Sequence, residues 1–292
     1  MRNLMLVVNP FSGRGLSKSA LGTIVSQLCE GGYRVTVYYA GEEDPETLVF
    51  NNAKNHELVV CVGGDGTLSS VISGLLRSSV HIPVGYIPAG TSNDVASTLA
   101  LSKNPSEAVK SIINGTPQAL DIGLFSGRYF TYIAAFGAFT GVAYNTKQSA
   151  KRALGQLAYV LGGFAEVFSI KSRHIIMEYD AGIIEGDYIF GGVVNSKSVA
   201  GLVKIDSRHV NLADGLFEVV LVKQPIDLPN LIDTLGNIIT QTYNSENVLM
   251  LHTSRAKFSF EEEVSWTIDG ENGGLHKNVD IVNYHEAVNI VF

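Results

Sequence analysis

Leu58-Val59-Val60-Cys61-Val62-Gly63-Gly64-Asp65-Gly66-Thr67 passes from an unbroken apolar run into a glycine turn, and the residues after it keep a helical spacing at Leu68, Val71, Ile72, Leu75 and Leu76. The pattern predicts a buried strand, a tight turn and a helix start. A turn of this kind aims backbone N–H groups at the positive end of a helix, which suits an anion. The glycines place no side chain between that backbone and a ligand. Asp65 would repel a bare phosphate. Its carboxylate becomes useful beside a metal ion, or beside a hydroxyl that must lose a proton.

Two further strand ends carry loops of the same kind. Asn9-Pro10-Phe11-Ser12-Gly13-Arg14-Gly15 follows the apolar run Leu4 to Val8, and Pro88-Ala89-Gly90-Thr91-Ser92-Asn93-Asp94 follows Ile82 to Ile87. In a parallel sheet all three emerge at the carboxyl edge, where open α/β sheets bind ligands. The first 123 residues alternate strands (4–8, 33–39, 58–62, 82–87) with helices (16–30, 45–54, 67–77, 105–114). Asp44-Pro45 and Asn104-Pro105 each supply an N-cap and a first-turn proline, and Gly115 closes the last helix. An α/β domain with a parallel sheet follows for 1–123.

Beyond residue 124 the character changes. Strand-like runs appear at Tyr129 to Ala135, His174 to Tyr179, Ile189 to Val194, Leu216 to Val222, Ala256 to Phe260 and Val264 to Ile268, with a hairpin at Asp180-Ala181-Gly182. Helical stretches at 148–169 and 227–242 interrupt them. Residues 124–278 therefore read as an antiparallel β domain, and 279–292 are left open to complete the first one.

Asn-Pro-x-Ser-Gly, Gly-Gly-Asp-Gly-Thr and Pro-x-Gly-Thr-x-Asn-Asp in this order resemble the diacylglycerol kinase and sphingosine kinase lipid kinase family, most of all its soluble bacterial members. The resemblance continues through Asp121-Ile122-Gly123, Asn195-Ser196, Asp214-Gly215 and Asp269-Gly270-Glu271, so it spans nearly the whole chain. It implies a β-sandwich as second domain. It also implies transfer of the γ-phosphoryl group of ATP to a lipid hydroxyl, with Mg²⁺ as cofactor and diacylglycerol as the default acceptor. Asn9, Pro10, Phe11, Ser12, Gly13, Gly64, Asp65, Gly66, Thr67, Leu68, Ser69, Ser70 and Thr91 would line the nucleotide site. Ala40 would contact it through backbone alone. Asn211, Asp214 and Leu216 would hold a structural Mg²⁺, although Asp206-Ser207 replaces the proline common before that loop.

The residues themselves support part of this chemistry. Neither glycine loop is followed by Gly-Lys-Ser/Thr, so neither is a Walker A loop. Arg14 can reach phosphate; Asn9 and Asn93 offer amides for ribose or adenine. Asp65, Asp94, Asp121, Asp269 and Glu271 form a set of carboxylates that a cleft between domains would gather, at a cost that a metal ion such as Mg²⁺ relieves. Glu271 is the leading candidate for general base, with Asp269 orienting it or binding metal. Asp65 is its rival. Asp269-Gly270 is also a favoured hairpin turn.

Composition narrows the classes. Net charge is −7 from 21 basic and 28 acidic residues, which argues against nucleic acid as a partner. The N-terminal apolar segment is five residues, too short for a signal peptide, and no run reaches the ~18 to 20 apolar residues of a membrane span. Cys29 and Cys61 are isolated. A cytoplasmic protein with peripheral membrane contact is expected, the contact through Lys147, Lys151 and Arg152 beside the apolar stretch 154–168. A homodimer is an open expectation. Phe130, Tyr132, Phe136 and Phe139 fit either a core or a lipid groove. Two other readings stay open: an NAD kinase-like phosphotransferase, against which stands the Pro88 to Asp94 loop, and a nucleotide- or lipid-binding regulator without catalysis, against which stands the full set of carboxylates.

Overall fold

The structure, a computed structural model, describes residues 1–13, 18–91, 93–137, 171–196, 198–199, 203–204, 212–227, 229–230, 233–234, 236–237 and 245–292. The first half runs β1 (Arg2–Val8), α1 (Lys18–Glu30), β2 (Tyr33–Tyr39), α2 (Pro45–Asn52), β3 (Leu58–Gly63), α3 (Asp65–Ser78), β4 (Val84–Pro88), α4 (Asp94–Thr98) and α5 (Pro105–Asn114). Strands β2, β1, β3 and β4 lie side by side in that order, all parallel. The strand β1 is apolar on both faces because it is covered on both. Leu4, Leu6 and Val8 pack with Ile24 and Leu28 of α1 and Val109 and Ile112 of α5. Met5 and Val7 pack in the opposite layer with Val49 of α2 and Val71 and Ile72 of α3. The caps are as the sequence predicts. Asp44 accepts the Thr47 N–H at 3.0 Å, and Asn104 accepts those of Ser106 and Glu107 at 3.0 and 3.3 Å.

The chain continues through β5 (Pro117–Phe125), β6 (Arg128–Phe130), β7 (Ile133–Gly137), β8 (Arg173–Tyr179), β9 (Gly182–Tyr188) and β10 (Phe190–Val194). A two-stranded ribbon follows, β11 (Ser198–Val199) with β12 (Val203–Lys204). The last strands are β13 (Phe217–Val222), β14 (Val248–Thr253), β15 (Arg255–Ile268) and β16 (Glu271–Val291). Residues from β7, β8, β10, β13 and β15 share one core, in which Phe136 meets Phe258 and Phe260 edge-on and Trp266 at a tilt. Phe130 and Phe136 are fully buried there, so they are core residues and not a lipid groove.

Three segments differ from the sequence expectation, each for a visible reason. The run 129–135 is two strands, because Thr131, Tyr132 and Ile133 turn their N–H groups onto Asp269. The segments 256–260 and 264–268 are one strand, β15, with a register shift between Ser259 and Val264. The last strands, expected separately at 279–283 and 287–292, belong to one long strand, β16, with a register shift between Tyr284 and Val288 and a positive φ at Glu286. Its first half pairs with β15. Its last residues pair with β5, and Ile290 and Val291 pair with β4 in parallel. One strand thus joins the parallel and antiparallel parts of a single mixed sheet. The expected helix 148–169, with Lys147, Lys151 and Arg152, lies outside the described residues, as does Phe139. Of 227–242, the described positions 229–230, 233–234 and 236–237 are helical.

Candidate active site

The strand order β2-β1-β3-β4 reverses direction between β1 and β3, which makes that point the crevice of the sheet. A cleft of about 300 Å³ opens there, lined by Asn9, Phe11, Ser12, Gly13, Pro45, Gly64, Gly66, Thr67, Ser70, Gly90 and Glu271. Its floor is the three predicted loops, locked to one another. Asn9 donates its Nδ2 to Thr67 Oγ1 at 2.9 Å and its backbone N–H to Val62 O at 3.0 Å. Ser12 Oγ accepts the Gly64 N–H at 3.3 Å and meets Thr67 Oγ1 at 3.3 Å. Ala89 donates to Gly63 O at 2.7 Å. Glycine is required where these loops touch: a Cβ on Gly90 would lie 2.5 Å from the Gly64 Cα, and one on Gly13 would run into the Ala89 carbonyl.

Several residues expected at the nucleotide site have other tasks. Leu68 is fully buried in the apolar core. Ala40 is buried, and its N–H extends the sheet by bonding Val8 O at 2.9 Å. Asn93, at φ 52°, closes its own loop: Oδ1 accepts the Gly90 N–H at 2.9 Å and the Tyr86 hydroxyl at 3.3 Å, and Nδ2 donates to Gly90 O at 3.0 Å. Pro10, Ser69 and Thr91 do not line the cleft, although Thr91 is exposed on the third loop. Arg14 is outside the described residues. Pro45 is a cleft residue that sequence reasoning assigned only to a helix start.

The carboxylates divide in the same way. Asp65 caps α4, accepting the N–H groups of Asp94 and Val95 at 2.9 and 3.1 Å. Burial pushes its pKa up, against the pull of those two N–H bonds. Asp269 accepts four hydrogen bonds: Thr131 N–H at 2.7 Å, Thr131 Oγ1 at 2.8 Å, Tyr132 N–H at 3.0 Å and Ile133 N–H at 3.1 Å. Burial again raises its pKa, and the same donors oppose the rise. Asp121 is fully buried away from the cleft, accepting Gly215 N–H at 2.6 Å and Glu286 N–H at 2.7 Å, with His285 Nδ1 at 3.1 Å. Glu271 is the carboxylate that reaches the cleft lining. Asp65, Asp94, Asp269 and Glu271 nonetheless share a neighbourhood. Burial raises the Tyr132 phenol far above the ordinary range, and the charges of Asp269, Asp94, Asp65 and Glu271 add to that.

The residues fit a nucleotide better than a protein-held metal. A glycine-lined helix start can take phosphate oxygens. Among the described residues, no group of three or more histidine, cysteine or acidic side chains could hold a metal ion. In the expected structural Mg²⁺ loop, Asn211 lies outside the described residues, and exposed Asp214 accepts the Leu216 N–H at 3.0 Å. A divalent ion arriving with the phosphates needs only one or two protein carboxylates, and Asp94, which shares the Tyr132 neighbourhood with Glu271, would be one.

Residues 3–125 match the diacylglycerol kinase catalytic domain. The chain is 28% identical over 295 aligned residues to a diacylglycerol kinase of Bacillus subtilis (strain 168), covering 100% of this chain and 96% of that one. It is 29% identical over 304 residues to one of Staphylococcus aureus (strain JH9), covering 97% and 93%. A crystal structure of a diacylglycerol kinase from Bacillus anthracis str. Sterne superposes with a TM-score of 0.80 at 22% identity, covering 100% of this chain and 97% of that one, which shows the shared fold.

Proposed function

Through residues 3–125 the chain belongs to the diacylglycerol kinase-like family, and on that premise we propose that it transfers the γ-phosphoryl group of ATP to the hydroxyl of diacylglycerol. Kinase action on an alcohol goes with the catalytic domain that matches. The lipid acceptor is supported by relatives similar along the whole chain. The observation that carries the reading is the meeting of three glycine loops and one carboxylate, Glu271, in a single cleft at the sheet's switch point.

The loops at 9–13 and 63–67 hold the phosphates by backbone and hydroxyl donors. Mg²⁺ bound with the phosphates would neutralise charge that builds up on transfer. Glu271 accepts the proton of the acceptor hydroxyl as the new O–P bond forms and the β–γ bridging bond breaks, ADP leaving with that electron pair. Its support as base is position and a free oxygen. Asp65, the rival, has both carboxylate oxygens bonded to the start of α4. The test is incubation with labelled ATP, Mg²⁺ and either diacylglycerol or NAD. Label in phosphatidic acid supports the proposal; label in NADP with none in lipid overturns it. Among the described residues no helix is long and apolar enough to cross a membrane; the proposal has the chain meet its bilayer substrate as a surface encounter.

A further inference from the structure

Glu271 is held by one oxygen and presented by the other. Arg128 donates its Nη2 to Glu271 Oε2 at 2.8 Å and its Nη1 to the neighbouring Asn272 carbonyl at 2.9 Å. The other oxygen, Oε1, lies over the first turn of α3, where a Cβ on Gly66 would stand 2.5 Å from it. One guanidinium therefore bridges the side chain of Glu271 and the backbone beside it. A planar fork does this and a point charge does not.

Two tight turns build the arrangement. Ser126-Gly127 joins β5 to β6 with both φ positive, 44° and 95°, and the pair that closes it is Phe125 with Arg128. Asp269-Gly270 joins β15 to β16 with φ 50° and 83°, and its closing pair is Ile268 with Glu271. Both are two-residue hairpins whose positive φ values match a type I′ turn. Arg128 and Glu271 are thus each the first strand residue after a turn. Asp269 fastens one turn to the segment leaving the other, through its four bonds to Thr131, Tyr132 and Ile133. The ion pair itself is exposed, 46% and 60% for the two side chains. An exposed pair adds little to stability, so the fold does not account for this precision.

We propose that Arg128 is the positioning residue of the phosphoryl-transfer site. It pins Glu271 by Oε2 so that Oε1 faces the cleft, in the space that Gly66 leaves for want of a side chain. The inference rests on the reading of Glu271 as proton acceptor.

The experiment is a double-mutant cycle on the full chain: wild type, Arg128→Met, Glu271→Gln and both together. Turnover of diacylglycerol, acceptor KM, directly measured ATP affinity and thermal midpoint are recorded for each. Arg128→Met should lower kcat by up to about 100-fold, the scale of a misplacement of about 1 Å, with ATP affinity and midpoint unchanged. Arg128→Lys should recover only part. In the Glu271→Gln background, Arg128→Met should change kcat no further. Equal losses of kcat in both backgrounds would overturn the inference, as would weakened ATP affinity with kcat intact. Full turnover in Glu271→Gln would instead overturn the base assignment, and that result is read without any Arg128 variant.

Discussion

At the scale of single residues, the site depends on atoms that are missing as much as on atoms present. Gly66 lies in the first turn of α3, and alanine there has less chain entropy to lose on folding than glycine. Gly66→Ala should therefore leave stability equal to wild type or above it while lowering kcat, because the new methyl meets Glu271 Oε1. Melting curves with steady-state kinetics check this; an unchanged kcat would show that the space has no role. Glu218 gives a pH prediction. It is 2% exposed on β13, and burial, with the charge of Asp214 adding, pushes its carboxyl from 4.5 up to about 8. Between those values the native state keeps a proton that the unfolded chain has released. Stability therefore falls as pH rises through that window, by about 1.4 kcal/mol per pH unit from this group. Glu218→Gln should be close to wild type near pH 4.5 and increasingly more stable toward pH 8, read from urea midpoints. The buried acids Asp65 and Asp269 are common to both proteins, and His252, whose Nε2 lies 3.9 Å from Glu218 Oε1, is taken out of the comparison by repeating it in a His252→Asn background. A gap that does not grow with pH would contradict its buried, protonated state.

At the scale of elements, the legible parts were those whose signal is local. Apolar runs ending in glycine loops gave β1, β3 and β4, and Asp44-Pro45 and Asn104-Pro105 marked two helix starts. Less was legible where a side chain reaches across the sequence. Asp269 sits in an Asp-Gly pair that reads as a turn, and it is one; nothing nearby says that its carboxylate also ends one strand and starts another at 131–133. Arg128 and Glu271 are 143 positions apart, and a lone arginine after Ser-Gly carries no sign of its partner. Asp65 reads from its loop as a carboxylate for a metal ion or a hydroxyl proton, and nothing near it in sequence says that both its oxygens also accept the N–H groups that start α4. Asp269→Ala should be costly, since it leaves three buried backbone N–H groups and a hydroxyl unpaired, each worth about 1 to 3 kcal/mol. Loss of at least about 3 kcal/mol by denaturant unfolding is expected. A loss below about 1 kcal/mol would mean that water replaces the carboxylate and that the two turns are not held by it.

At the scale of the whole molecule, β16 sets the relation between the two halves. It begins at the base candidate, crosses the antiparallel region against β15, and ends as a parallel neighbour of β4. The antiparallel strands thereby bring Glu271 to a cleft whose floor belongs to the parallel sheet. A strand shared in this way makes the two cores unfold together, so calorimetry and far-UV ellipticity should report one coincident transition. Two separated transitions would mean that the halves are independent and the cleft is not a fixed geometry. The central claim, that this cleft transfers phosphate to a lipid hydroxyl with Glu271 taking the proton, is tested most directly by one comparison. Single-turnover transfer from labelled ATP to diacylglycerol is measured for wild type, Glu271→Gln and Asp65→Asn, alongside direct nucleotide binding. Glu271→Gln should slow transfer by about 10²- to 10⁴-fold with ATP affinity unchanged. Near-normal transfer in Glu271→Gln, with Asp65→Asn inactive but still binding nucleotide, would contradict the account and give the proton to Asp65.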